Sequence, residues 1–296
     1  MSDALIARLL ELRNADAGWG ATVDRPSNVE ATALATIALR GAAAEARSGG
    51  LAWLTSRQRS DGSWAWSDEV DRPSWATSLA MLALADAGGS PDAVRGGAGW
   101  LMRQESPPVS WRLRIREFLT RHQTVEVNYA LEGWAWAPST FSWVEPTAWA
   151  VLAMRRAIPA PRPRRIRGRL DEAQAMIVDR VCPGGGWNYG NGRVLDQDLE
   201  PYPDTTALAL LGLQGSKSDT VESGFAVLDS LTAEAGSGLA LALSALCRQA
   251  WGRTAADTLL QLERRFTEWA FLDETRLIAL AAIAATENPA FRVQDP

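Results

Sequence analysis

The fold is decided by Gln58–Ala85, QRSDGSWAWSDEVDRPSWATSLAMLALA. The stretch passes from a polar, glycine-broken loop holding Trp64, Trp66 and Trp75 into a helix with no polar face. A helix that is apolar all round must be buried all round. Three relatives of the stretch occur: ADAGWGATVDRPSNVEATALATIALRG from Ala15, LEGWAWAPSTFSWVEPTAWAVLAM from Leu131, and CPGGGWNYGNGRVLDQDLEPYPDTTALALLGL from Cys182. In each, a tryptophan precedes a threonine that opens the apolar run. The separation is thirteen residues for Trp19–Thr32, Trp64–Thr77 and Trp134–Thr147, and nineteen for Trp187–Thr206, whose loop is six residues longer. A recurring internal spacing marks a repeat architecture.

Amphipathic stretches precede the loops at Asp3–Leu12, Gly50–Gln58, Pro91–Gln104 and Leu170–Val181, and apolar ones follow at Glu30–Leu39, Trp75–Ala85, Glu145–Ala157 and Asp204–Leu213. The alternation continues less regularly, with amphipathic Val221–Leu231 and Thr254–Trp269 and apolar Gly238–Ala250 and Asp273–Ala285. No stretch shows the period-two alternation of a strand. Six greasy helices with six amphipathic ones predict an all-α (α/α)6 toroid spanning 1–296 as a single domain, apolar helices inside and amphipathic helices outside. Two features interrupt it. Residues 105–132 form an insertion in which VSWRLRIREFLTRH reads as a further amphipathic helix over a mouth of the ring. Residues 155–169 form an Arg/Pro-rich crossover, whose prolines oppose helix; it reads either as solvated linker or as an anion- or membrane-facing patch.

With 47% apolar residues a sizeable core needs no staples. The net charge of −5 and a pI near 5.2 argue against a nucleic-acid partner. Cys182 and Cys247 lie far apart in sequence and suggest a reducing, cytoplasmic setting. No signal peptide, transmembrane run, phosphate loop or dinucleotide fingerprint is apparent. Fourteen tryptophans against three tyrosines and six phenylalanines demand a reason.

WLTSRQRSDGSWAW, with Gln58 four residues before Gly62-x-Trp64, resembles the Gln-Trp repeat of triterpene cyclases such as squalene–hopene cyclase. That family shares its (α/α) barrel with the β subunits of protein prenyltransferases. Gln104 and Trp111 form a degraded copy, while RNADAGWG and CPGGGWNYG keep Gly-Trp and lose the glutamine. The resemblance covers Ala4–Leu213 well and the remainder weakly. It implies that Trp19, Trp64, Trp111 and Trp187 clamp the end of an outer helix to the start of the next inner one. Trp66, Trp75, Trp136, Trp143 and Trp149, with Tyr202, are then candidates to line an apolar cavity where aromatic faces stabilise a cation. Ordinary packing is the competing account.

Two residues before each repeat threonine stand Glu30, Trp75, Glu145 and Asp204, and Asp273 precedes Thr275 in the same register. Four carboxylates are therefore expected at one end of the ring. Charge compensation at helix N-termini explains them at about 0.3–1 kcal/mol each. The resemblance implies more. Tyr202-Pro203-Asp204-Thr205-Thr206-Ala207 falls on the cyclase Asp-x-Asp-Asp-Thr-Ala motif, with Asp204 in the proton donor's place and both flanking acids replaced. An acid strong enough to protonate an alkene needs activating neighbours, so Glu145 or Glu30 would have to assist. A prenyltransferase-type zinc site is poorly supplied by Cys182, Cys247 and the single histidine His122. Asp196, Asp198 and Glu200 in DQDLE read as a Mg2+ site for a diphosphate or as a solvated loop.

The expected function is terpene cyclase-like acid–base chemistry, of isomerase or lyase type, on an isoprenoid or similar apolar small molecule, with no cofactor. A non-catalytic lipid- or partner-binding scaffold, and a prenyltransferase-type subunit needing a protein partner, are the alternatives. A homodimer also fits a chain holding one ring.

Overall fold

The computed structural model describes residues 1–107, 115–116, 119, 125–234 and 236–293. Helices dominate it. The amphipathic series is α1 (Ser2–Glu11), α3 (Ala44–Ser56), α5 (Pro91–Leu101), α7 (Arg164–Asp179), α9 (Asp219–Glu234) and α11 (Ala256–Trp269). The apolar series alternates with it as α2 (Val29–Ala38), α4 (Ala76–Ala87), α6 (Val144–Ala157), α8 (Pro203–Gly212), α10 (Gly238–Ala250) and α12 (Thr275–Ala285).

Sequence explains the division. In α2, VEATALATIA, every residue but Glu30 is buried. Its alanines keep the surface shallow enough for neighbours on all sides, and Asn28 Oδ1 accepts the Ala31 N–H at 2.8 Å to cap it. In α1 only Leu5 and Leu9 are buried, one turn apart on one stripe. The apolar helices pack in series: α2 on α4, α4 on α6, α6 on α8, α8 on α10, α10 on α12, and α12 back on α2. Each amphipathic helix lies on the apolar helix before it, and α1 lies on α12, so the first and last helices of the chain meet.

Helix α3 begins six residues before the expected Gly50, because Gly49 and Gly50 serve close packing and do not break the helix. A Cβ on Gly50 would stand 2.4 Å from Thr36 Cγ2 and 2.8 Å from the Trp19 ring. The crossover is also shorter than expected. Arg164–Arg169 are helical, since Pro163 sits just ahead of α7, where a missing N–H costs nothing. Only residues 158–163 link α6 to α7. Two short hairpins, Ala65–Ser67 with Val70–Pro73 and Arg193–Val194 with Gln197–Asp198, decorate the second and fourth Trp loops. The expected helix in the insertion lies outside the described residues, as do Trp111 and His122. Among the described residues, no helix is long and apolar enough to cross a membrane.

A C-terminal turn closes over the far ends of the apolar helices. Asn288 Nδ2 donates to Ile37 O at 2.9 Å and Gln214 Nε2 to Phe291 O at 2.8 Å. Arg156 Nη1 donates to Arg292 O at 3.0 Å. Phe291, 1% exposed, is thereby set against Trp149 with ring centroids 5.6 Å apart.

Candidate functional site: an acid and aromatic rim

The rim is built by four copies of one device. The Trp19 N–H donates to Thr32 Oγ1 at 2.9 Å, Trp64 to Thr77 at 2.9 Å, Trp134 to Thr147 at 2.8 Å and Trp187 to Thr206 at 2.9 Å. Each indole N–H then reaches back to the end of the preceding amphipathic helix: Leu9 O at 2.7 Å, Leu54 O at 2.7 Å, Leu101 O at 3.0 Å and Ile177 O at 2.6 Å. One buried side chain thus gives a helix-end carbonyl an indole donor, in addition to a backbone N–H at Leu54, Leu101 and Ile177, and fixes where the next helix starts. In the third repeat Trp134 fills the position expected of Trp111; spacing to the threonine, and not a nearby glutamine, identifies the clamp. Gln58 does a different job: its Nε2 donates to Gly62 O and to Ala93 O of α5, holding the loop to the next amphipathic helix.

A second device stitches neighbouring repeats. Trp75 N–H donates to Trp136 O at 3.1 Å, Val144 to Tyr189 O at 3.1 Å and Thr275 to Ala21 O at 2.9 Å. Each acceptor lies two residues after a clamp tryptophan. The third of these bonds joins the last apolar helix to the first loop.

Within this rim, Arg276 of α12 gathers the acids. Its Nη2 donates to Glu145 Oε1 at 2.8 Å, and its Nε lies 3.2 Å from Glu30 Oε1, an ion pair without hydrogen-bond alignment. Glu30 Oε2 also faces Trp66 Nε1 at 3.4 Å. Burial pushes the Glu145 carboxyl above the usual glutamate range; Arg276 pulls it down, and Glu30 adds to the rise. Glu274 is raised by burial in the same way, again against Arg276. Burial also opposes the charge on Arg276, but Glu30 and Glu145 outweigh it and hold the guanidinium above its usual value.

Asp204 has no hydrogen-bond or ion-pair partner among the described residues. Its charge is the main influence raising the phenol of Tyr189, which Glu145 raises further. Asp204, Tyr189 and the Glu145–Arg276 pair therefore share one field. Asp273 leaves the group. It pairs with Arg8 of α1 through Nε at 2.8 Å and Nη2 at 2.7 Å, and its neighbour Glu274 faces the cluster instead. Asp273 stands one residue off the register of Glu30 and Glu145 because Ala270–Asp273 is a 3-10 turn with left-handed residues.

Aromatics surround the acids. Trp66, Trp75, Trp136 and Trp143 are half-buried, and Trp75 meets Trp136 edge to face at 5.0 Å. Tyr189 and Tyr202 stack at 5.3 Å on the exposed side. Trp149 is 1% exposed and packs on Phe291, and its side chain also acts on the Glu145 carboxyl one turn away on α6, helping to pull it down. Arg276, Glu274 and Tyr189 were not anticipated. Tyr189 alone carried a sequence signal, standing two residues after its clamp tryptophan as Trp66 and Trp136 do.

Cys182 and Cys247 are both buried and unpaired, and the described residues contain no converging set of three metal-binding side chains. In the DQDLE loop, Asp198 pairs with Arg193 at 3.1 Å.

No family model matches the sequence. No curated protein matches it either. Solved structures do share its fold. A protein from Actinoplanes superposes with a TM-score of 0.59 at 16% identity, over 97% of this chain and 99% of that one. Salmonella alpha-2-macroglobulin reacted with methylamine gives 0.53 at 17% identity, over 96% of this chain and 17% of that one. Native Escherichia coli alpha-2-macroglobulin, from domain MG7 to the C-terminus, gives 0.52 at 16% identity, over 95% and 42%. At these identities the likeness is one of fold alone.

Proposed function

We propose that the helices form an (α/α)6 toroid whose acid and aromatic rim is the working face of a terpene cyclase-like enzyme, acting on an isoprenoid or similar apolar molecule. The closed series of contacts from α2 round to α12 supports the toroid. What supports the activity is the geometry of the buried Glu145 carboxyl, bonded to Arg276 Nη2 at 2.8 Å in the same cluster as Glu30, where burial favours its protonated form. An acid made reluctant to ionise keeps its proton nearer to neutrality, which a general acid requires. In this reading Glu145 takes the donor role that the sequence placed on Asp204. Its proton goes to an alkene carbon and leaves a carbocation. The faces of Trp66, Trp75, Trp136 and Trp143 stabilise that charge. Asp204, free of partners beside Tyr189 and Tyr202, removes a proton from a neighbouring carbon and so closes the cycle with no net redox change. Glu30 holds Arg276, which keeps the rim from carrying several bare negative charges.

The test is incubation with isoprenoid lipids in D2O, read by mass spectrometry. Products should carry one added deuterium in place of hydrogen, and Glu145→Gln should abolish them. Unchanged turnover by Glu145→Gln would remove the acid, and with it the mechanism. Packing of Phe291 onto Trp149 favours a second reading, a non-catalytic scaffold binding an apolar ligand only at the rim. In that case the same lipids bind and are recovered unlabelled.

A further inference from the structure

Beside the rim, and sharing Trp143 with it, a cavity of about 480 Å3 opens near the end of α7. Val127, Leu131, Phe141 and Trp143 give it apolar walls, and Ser142, Asn191 and the acidic Glu132 line it as well. Phe141 is 58% exposed at the mouth, whereas Val127 is buried. Trp143 can lie flat against the loop because residue 190 is glycine; a Cβ there would stand 2.6 Å from the indole. At the same cavity sits Arg180, whose side chain is only 8% exposed. Its Nε and Nη1 are buried without a hydrogen-bond partner among the described residues. Nη1 has only a loose contact, 3.4 Å, with the adjacent Asp179 Oδ2, and that oxygen already accepts the Asn128 N–H at 2.9 Å.

A cation at a helix C-terminus is favoured by the helix dipole, and α7 ends here. That explanation predicts donation to the terminal carbonyls, which these two nitrogens do not make. A guanidinium buried with unmet donors is costly, and pockets that bind small molecules pair apolar walls with few, well-placed polar groups. We propose that this cavity binds an amphiphilic anion, with its carboxylate or phosphate head on Arg180 and its alkyl tail along Leu131, Phe141 and Trp143. The site shares Trp143 with the proposed rim, but its anion-binding Arg180 takes no part in the acid chemistry proposed there.

Isothermal titration calorimetry with decanoate, decyl phosphate and 1-decanol tests it on the full chain. Either anion should bind at least about tenfold more tightly than the alcohol, as expected for charge-assisted bonds, and the tighter of the two names the head group. Arg180→Met should remove that preference. Phe141→Ala, at an exposed position that folding does not depend on, should weaken both anions several-fold. Equal affinity for 1-decanol, or undiminished anion binding by both variants, overturns the proposal.

Discussion

The first four repeats and the last two build the same helical alternation by different means. In the first four, a buried tryptophan bonds a threonine ahead and a carbonyl behind. In the last two that device is missing. Helix α10 starts on Ser237, whose Oγ accepts the Ala240 N–H at a long 3.4 Å, and the Oγ1 of Thr275 on α12 has no hydrogen-bond partner. Trp251 offers one bond, from Nε1 to Leu210 O at 2.9 Å. Yet α10 and α12 pack into the same series of contacts. The apolar and amphipathic pattern is therefore enough to place a helix, and the clamps serve to set the height and rotation of its first turn. The acids gather where that precision matters, with Glu30 and Glu145 on clamped helices. Their shared arginine comes from an unclamped one, fixed instead by the Thr275 to Ala21 stitch.

The strongest way to break this contrast is to remove a clamp. Trp64→Ala should cost about 3–5 kcal/mol in urea denaturation, and Trp251→Ala, half-buried with a single bond, about 1–2 kcal/mol. Equal losses would mean the clamps are ordinary core. Arg276→Met should cost a similar 3–5 kcal/mol, because Glu30 and Glu145 would be left without their counter-charge. Double substitution with Glu145→Gln should recover part of it.

A finer test uses threonines alone. Thr77→Val should lose about 1–3 kcal/mol, since it orphans the buried Trp64 N–H. Thr275→Val should change stability by less than about 0.5 kcal/mol, its hydroxyl having no partner to lose.

The smallest effects are in pH, and they have opposite signs. Burial works against ionised Asp16, but bonds from Ser27 Oγ, Gly18 N–H and Trp53 Nε1 outweigh it and hold the carboxyl below its ordinary value. That stability is present above the unfolded pKa and is lost as pH falls through the folded one. Asp16→Asn should therefore flatten the acid side of the stability profile. Glu145 is raised, so its folded form favours the proton, and the stability it contributes is lost as pH rises from the ordinary glutamate value through the raised one. Glu145→Gln should flatten that limb instead. Urea midpoints measured across both windows separate the two.

Much of this was legible in the primary structure. Constant spacing from tryptophan to threonine located four loops, and the family resemblance named three of their four clamps, putting Trp111 where Trp134 stands. All-round apolarity found each apolar helix to within two residues, because burial on every side admits few polar residues beyond small hydroxyls such as Thr36, Ser78 and Ser244. The site was legible only in part. Glu30 and Glu145 followed from register, and Trp66, Trp75, Trp136 and Trp143 from their nearness to helix starts. Arg276 carried no signal, since an arginine beside a helix start looks like a surface residue until carboxylates from α2 and α6 are brought to it. Asp273 was misplaced for the converse reason: position along a helix says how high a side chain stands, not which neighbour takes it, here Arg8.

Sequence by itself thus determined helix order, the alternation of one-sided and all-round apolar segments, and the clamped loops, all of which depend on local periodicity and short spacing. Only the tertiary structure decided that one arginine from the last helix joins acids from the first and third repeats, that Phe291 occupies the space beside Trp149, and that Arg180 lies buried under an apolar cavity. Those are contacts between residues far apart in the chain, and their energies depend on burial and neighbouring charge, which no local pattern encodes.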